Sequence, residues 1–351
     1  MKITQLLIII YLVFMLPFPS AAQKWGKVSK EILQMSGFPQ DPEANAVVLF
    51  AIGDLKIDDD FDLIFKKHVR IKILTEEGKE YSDIRIPYYY KDKMDGLKAQ
   101  TILPNGKKIK LKKKEVFEDK TRWYKYKVFA MPGVEVGSVI EYKYEVRSDH
   151  LTFLEPWQFQ NREFTILSRI SVTLQPGFKY KAFFTNITGL DPQPEVEEVM
   201  VLGPPRRKIN KFTWKMENIE AIRKEPFMTT LDDYMATMYF QLISYDSPYT
   251  HLKFISTWED LAKTLNEHYG DFLKDDKGLK KRAAELCPQE LSAEDKIKAL
   301  YEEVCQSVET KSSKWIYADK KPHEVYETKS GTAVEKNVLL ITLLRHTGFE
   351  A

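Results

Sequence analysis

The chain has 351 residues, with 53 lysines and arginines against 51 aspartates and glutamates, a net charge of +2. The two signs are well mixed, which argues against a nucleic-acid partner and against strong electrostatic attraction to a membrane. A hydrophobic content of 43% excludes low-complexity disorder and is ample for real cores.

At the N-terminus Lys2 precedes an apolar run from Ile3 to Leu16, and small residues at Ser20, Ala21 and Ala22 follow. This pattern predicts a secretory signal peptide over residues 1–22, cleaved after Ala22. The run is shorter than the roughly 20 residues that span a bilayer. An uncleaved anchor is the alternative, and the mature chain is expected to hold no transmembrane helix. The first cysteine is Cys287, so no lipid-modified cysteine can begin the mature chain. What remains is enough for about two domains.

Residues 23–248 read as β-rich. Strands are predicted at Ala46 to Ala51, His68 to Leu74, Asp83 to Tyr90, Leu97 to Leu103, Trp123 to Ala130, Ser138 to Val146, Arg169 to Leu174, Tyr180 to Thr185 and Lys211 to Met216. Turn signals such as Pro104-Asn105-Gly106, Gln175-Pro176-Gly177 and Gly203-Pro204-Pro205 separate them. Ser138 to Val146 alternates cleanly, as an antiparallel strand buried on one side would. The lysines of Lys107 to Lys114 alternate with apolar residues like a protected edge strand, with an anionic glycan or lipid surface as the alternative. Asp58, Asp60 and Asp62 echo the start of a calcium loop, but Leu63 stands where its glycine belongs. Asn186-Ile187-Thr188 fits a glycosylation acceptor only in a eukaryotic secretory path.

Four phrases in this region, in this order, resemble domain of unknown function 3857. They are Thr101 to Lys107, Met131 to Tyr144, Trp157 to Gln160 and Asn218 to Pro226. The strand alternation reads as sandwich-like material, and the resemblance implies a domain that commonly precedes a transglutaminase-like domain in exported bacterial proteins.

From Tyr249 the period changes to helical. Trp258, Leu261, Ala262, Leu265 and Tyr269 share one helix face, and a second helix runs from Leu279 through Ala283 and Leu286 to Pro288. The third starts at the Ser292-x-x-Asp295 cap and continues through Ile297, Leu300, Tyr301, Val304 and Val308. Cys287 and Cys305 are too few for a disulfide scaffold. They read as small buried residues, while an oxidising compartment permits one bond between them. After a polar loop with Trp315 and Tyr317, Ser330, Gly331 and Thr332 open a last helix. There Thr332 caps, Glu335 reaches back, Val338, Ile341 and Leu344 repeat at helical spacing, and Gly348 stops.

Gly331, Glu335-Lys336, Leu339-Leu340 and Arg345-His346-Thr347-Gly348 resemble the nucleophile-helix region of the transglutaminase-like, papain-type fold. The resemblance implies a cysteine at position 333, where the positive end of the helix dipole would pull a thiol from ~8.5 toward ~3.5–7.5. Position 333 is alanine. The flanking Ser330 and Thr332 read as turn and cap hydroxyls rather than substitute nucleophiles, and Cys305 does not match the motif. The family's histidine and third polar group come from strands after this helix, and the sequence stops at Ala351. The face of Val338, Ile341 and Leu344 is therefore expected to lack its covering sheet, and the chain to be a fragment or incomplete product. His68, His150, His251, His268, His323 and His346 show no metal-ligand spacing, so neither a metal nor a cofactor is indicated.

The resulting expectation is an α+β chain: an antiparallel β-sandwich-like domain at 23–248, then over 249–351 the helical N-terminal half of a transglutaminase-like domain. It has no catalytic residue and is exported to the periplasm or envelope of a Gram-negative bacterium, as a binding or scaffold module for an envelope peptide, protein or glycan. The rival is a cysteine-dependent acyl transferase or peptidase.

Overall fold

The computed structural model describes residues 23–152, 154–186, 193–201, 207–254, 257–270, 272–273, 276–312 and 316–351. Residues 1–22, expected as a signal peptide, Trp315, Ile187 and Thr188 of the triplet that fits a glycosylation acceptor, and the expected Gly203-Pro204-Pro205 turn lie outside them. The chain divides into two compact units at Phe254 and Ile255. This is six residues beyond the boundary expected from composition, because His251–Lys253 still pairs with the strand before it.

The first unit is mostly β. A short helix α1 (Lys30–Gln34) precedes β1 (Ala46–Ile57), β2 (Leu63–Ile73), β3 (Asp83–Tyr89), β4 (Lys93–Ile102), β5 (Lys108–Lys110), β6 (Phe117–Lys120) and β7 (Tyr124–Ala130). Then come β8 (Val139–Ser148), β9 (Trp157–Gln158), β10 (Thr165–Thr173), β11 (Phe178–Thr185), β12 (Glu195–Val201), β13 (Arg207–Ile219), β14 (Thr237–Asp246) and β15 (His251–Lys253). Eight of them form one sheet in the order β12-β13-β10-β1-β2-β8-β4-β5. Two smaller sheets are β3-β7-β6, and β11-β14-β15 with β9 beside β14. The large sheet is antiparallel except where β1 and β10 run parallel, so it is mixed rather than purely antiparallel. The lysine-rich β5 lies at its edge, where charged side chains discourage further pairing.

Period-two alternation sends Phe65, Val69, Ile71, Ile140, Ile170 and Trp214 to the inner face, where they meet Trp157, Met238 and Phe240. Trp157 is 1% exposed, and its indole N–H donates to Ser168 Oγ at 3.1 Å. Its ring lies so close to β1 that a Cβ at Gly53 would fall 2.6 Å from it, so this approach needs glycine.

The outer face departs from the expectation of one-sided burial. Val139 and Glu141, on either side of the inward-facing Ile140, are fully buried too, because the segment after Gln23 crosses one end of the sheet as a strap. Ile32 and Phe38 of the strap pack on Val47, Leu49, Phe50 and Leu167, with Phe38 against Phe164 at 4.9 Å between ring centres. A polar cluster lies beneath it. Glu141 accepts from Arg70 (2.6 Å), His68 Nε2 (2.8 Å), Gln100 (2.8 Å) and the Gly26 N–H (2.8 Å). Arg70 also donates to the Lys24 and Lys27 carbonyls, and Lys72 Nζ to those of Leu33 and Gly137. A buried ion pair persists only when its remaining donors and acceptors are also satisfied, and here the strap supplies the partners. Burial works to raise the Glu141 carboxyl, but the bond to His68 and the charge of Arg70 outweigh it and hold it below the ordinary range.

The second unit contains α2 (Trp258–Gly270), α3 (Lys277–Leu286), α4 (Ala293–Ser307), β16 (Glu309–Lys311), α5 (Pro322–Thr328), β17 (Ser330–Thr332) and α6 (Ala333–His346). Leu279, Ala283, Leu300, Val304, Val325, Leu339 and Leu343 form its core. The buried stripe of α4 is narrower than its periodicity predicts: Leu300 and Val304 go in, Ile297 and Tyr301 stay exposed. On α2 no residue is fully buried and Trp258 is exposed; His268 and Tyr269 instead form an aromatic group with Phe272 and Tyr317. Among the described residues no helix is long and apolar enough to cross a membrane.

Candidate functional site

The helix start at position 333 is built from three short elements. Helix α5 ends on Lys329 in the left-handed conformation, which redirects the chain into β17. There Glu309, Thr310 and Lys311 of β16 pair in parallel with Ser330, Gly331 and Thr332. Thr332 adopts an extended backbone and caps α6: its Oγ1 accepts the Glu335 N–H at 3.3 Å, while Glu335 Oε2 accepts the Thr332 N–H at 2.8 Å. The reciprocal cap expected from the sequence is present.

Glu335 does more than its spacing predicts. Its other oxygen accepts the backbone N–H groups of Asp319 (3.2 Å) and Lys320 (3.0 Å), so one carboxylate ties the loop before α5 to the start of α6. Burial opposes its ionisation, yet the N–H donors of Thr332, Lys320 and Asp319 prevail and hold it below its ordinary value. Gly331 has Val325 and Glu335 as close neighbours; a Cβ there would sit 2.8 Å from Val325 Cγ1. Lys336 Nζ donates to the Val308 carbonyl at 2.7 Å and to Thr310 Oγ1 at 2.9 Å, fastening α6 to β16.

Ala333 is the first residue of α6 and is exposed. The turn that would present a thiol to solvent is complete, and its side chain is a methyl group. The inward face of α6 is turned from the one expected: Val338, Leu339, Thr342 and Leu343 are buried, whereas Ile341 and Leu344 are only half-buried. Helices α3, α4 and α5 cover that face through Leu279, Ala283, Leu300, Val304 and Val325.

The other candidate residues are not brought to this turn. Cys287 and Cys305 are free, so the bond that export would permit is not formed. Cys287 is buried at the end of α3, where burial pushes its thiol up and Lys296 pulls it partly back. Cys305 is exposed on α4. His323 lies in the first turn of α5 rather than in a loop, with Nδ1 3.6 Å from the Asp276 carboxylate. His68 belongs to the Glu141 cluster, His150 lies by Asp149, His251 bonds Asp246, and His268 joins the aromatic group on α2. In the calcium-like stretch Arg147 spans Asp58 (3.0 Å) and Asp62 (2.8 Å), taking the place a cation would need. Among the described residues no group of three His, Cys, Asp or Glu is arranged to hold a metal ion.

The comparisons with known proteins agree with this division of the chain. Residues 59–223 match the Domain of Unknown Function DUF3857, and residues 280–351 match the Transglutaminase-like superfamily. The chain thus carries a domain of the first kind followed by one of the second. No curated protein matches it. Among solved structures, a protein from Parabacteroides distasonis described as a protease candidate aligns at 15% identity and a TM-score of 0.58, over 87% of this chain and 59% of that one. The chain therefore spans under two thirds of that protein's length, and the likeness is one of fold. Leukotriene A4 hydrolase from Saccharomyces cerevisiae aligns over 78% of this chain and 40% of its own, at 10% identity and a TM-score of 0.27 that carries no argument.

Proposed function

We propose that the transglutaminase-like domain is degenerate and non-catalytic, and that the protein works as a binding or scaffold module in the envelope of a Gram-negative bacterium. The observation that carries this reading is Ala333. It occupies the first position of a helix whose cap, tight glycine turn and packing are otherwise fully formed. An acyl-transfer or peptidase site of this kind needs an ionisable nucleophile, and losing one typically costs on the order of 10⁶ in turnover. The two thiols of the chain lie elsewhere, one at the end of α3 and one on α4.

The test is to incubate the full chain with casein, and separately with a glutamine peptide and a fluorescent amine, at neutral pH. Neither peptide release nor amine incorporation should exceed the protein-free blank. Turnover that disappears in Cys305→Ser or Cys287→Ser would establish the rival cysteine enzyme instead.

Export is supported by Lys2, the apolar run and the small residues up to Ala22. N-terminal sequencing of protein recovered from a periplasmic extract should begin at Gln23. Recovery only in the cytosol, beginning at Met1, would remove the envelope assignment.

A further inference from the structure

Beyond the strap, the outer face of the large sheet carries a row of basic side chains directly opposite one another. Lys215 pairs with Arg169, Arg169 with Ile52, Ile52 with His68, His68 with Lys143, and Lys143 with Lys98. Neighbouring strands are only about 4.7–4.9 Å apart, and like charges directly opposite are destabilising. At one end of the row Arg169 donates to Gln23 at 3.2 Å, and Lys215 lies 3.4 Å from Glu217. The other end is less well compensated. Among the described residues neither Lys98 nor Lys143 has a carboxylate within ion-pair distance, and the two stand directly opposite each other.

These two lysines line a cavity of about 420 Å³ together with His68, Lys66, Asp54 and Glu145. That is a volume suited to a small ligand. One lining residue is held in place by bonding: His68 pairs with Glu141, which is itself fully buried and held by Arg70, Gln100 and the strap. Lys66 is bonded to Glu145 at 3.1 Å. Trp25 of the strap does not itself line the cavity but lies half-buried against two residues that do, with Lys143 Nζ 5.1 Å and the His68 ring 5.6 Å from its indole.

We propose that this cavity binds a carboxylated saccharide, with its carboxylate between Lys98 and Lys143 and its ring against Trp25. An anion between the two lysines relieves their repulsion through charge-assisted hydrogen bonds. The apolar face of a sugar ring suits an indole that is already flanked by cations. Asp54 and Glu145 decide the class: they accept hydrogen bonds from hydroxyl groups, and they repel a dense polyanion such as polyphosphate or a nucleic-acid backbone. The proposal stands whether or not the C-terminal domain is catalytic.

Isothermal titration of the full chain at low salt, with oligogalacturonate as the probe, tests it. The acidic sugar should bind, while a neutral glucan oligomer and inorganic polyphosphate should give no comparable heat. Lys98→Gln and Lys143→Gln should each weaken binding at least about tenfold without lowering the melting temperature. Lys107→Gln, in the hairpin before β5, should leave it unchanged. Should either variant misfold, amine acylation of the unmodified protein gives the same answer: the sugar should protect Lys98 and Lys143 and spare Lys107. Absence of both heat and protection, equal binding of polyphosphate, or unchanged binding by the two folded variants would overturn the proposal.

Discussion

Two residues beside Ala333, Glu335 and Gly331, and one in the first unit, Arg70, are each held by partners that a substitution would break or crowd. Glu335 is 4% exposed and accepts three backbone N–H groups, so Glu335→Gln should cost about 2 kcal/mol at neutral pH by urea unfolding. Because its folded pKa is lowered, this stability is fully present above the ordinary value of 4.5 and is lost as pH falls through the folded value. The difference between wild type and variant should therefore shrink steadily below about pH 4.5. Gly331→Ala drives a methyl group into Val325 and should cost about 1–3 kcal/mol in a thermal melt. Arg70→Met leaves the Glu141 carboxylate buried without its main charge partner and should cost about 3–5 kcal/mol. Adding Glu141→Gln to that variant should recover part of the loss, and strictly additive losses would show that the two residues do not act as a pair.

The elements differ in how openly the sequence announces them. Helices α4 and α6 are legible because Ser292 and Thr332 carry their own caps, and local chemistry decides where each begins. Which face they bury is less legible, since Ile297 and Ile341 repeat at the right spacing and yet are not taken into the core. Burial is decided by what packs opposite, and periodicity is blind to that. Strand β12 is hidden by Glu195, Glu197 and Glu198, which an exposed edge tolerates and a propensity scale counts against. At the candidate site, the capping box is readable four residues at a time. The reach of Glu335 to Asp319 and Lys320 is not, because it depends on a loop fifteen and sixteen positions away.

At the scale of the molecule, each unit has its own buried cluster, so each is expected to fold alone. A chain of residues 23–254 should melt in one cooperative transition with native circular dichroism; a broad, non-cooperative melt would show that it depends on the remaining residues. The order of the two domains is readable from motif phrases, while the fold of the first is readable only in part. Its strands show in their alternation, but their neighbours do not, since β1 pairs with β10 and the strap lies across β8 and β4.

That crossing also bears on the order of assembly. The Gly26 N–H reaches Glu141 across 115 positions, and β1 needs β10 as a flank before its second edge is closed. The strap is thus expected to be among the last segments of the unit to find its place, after β8 and β4 have paired. Contacts of such long range are slow to form, so in refolding followed by pulsed hydrogen exchange the Gly26 amide should gain protection after those of β8.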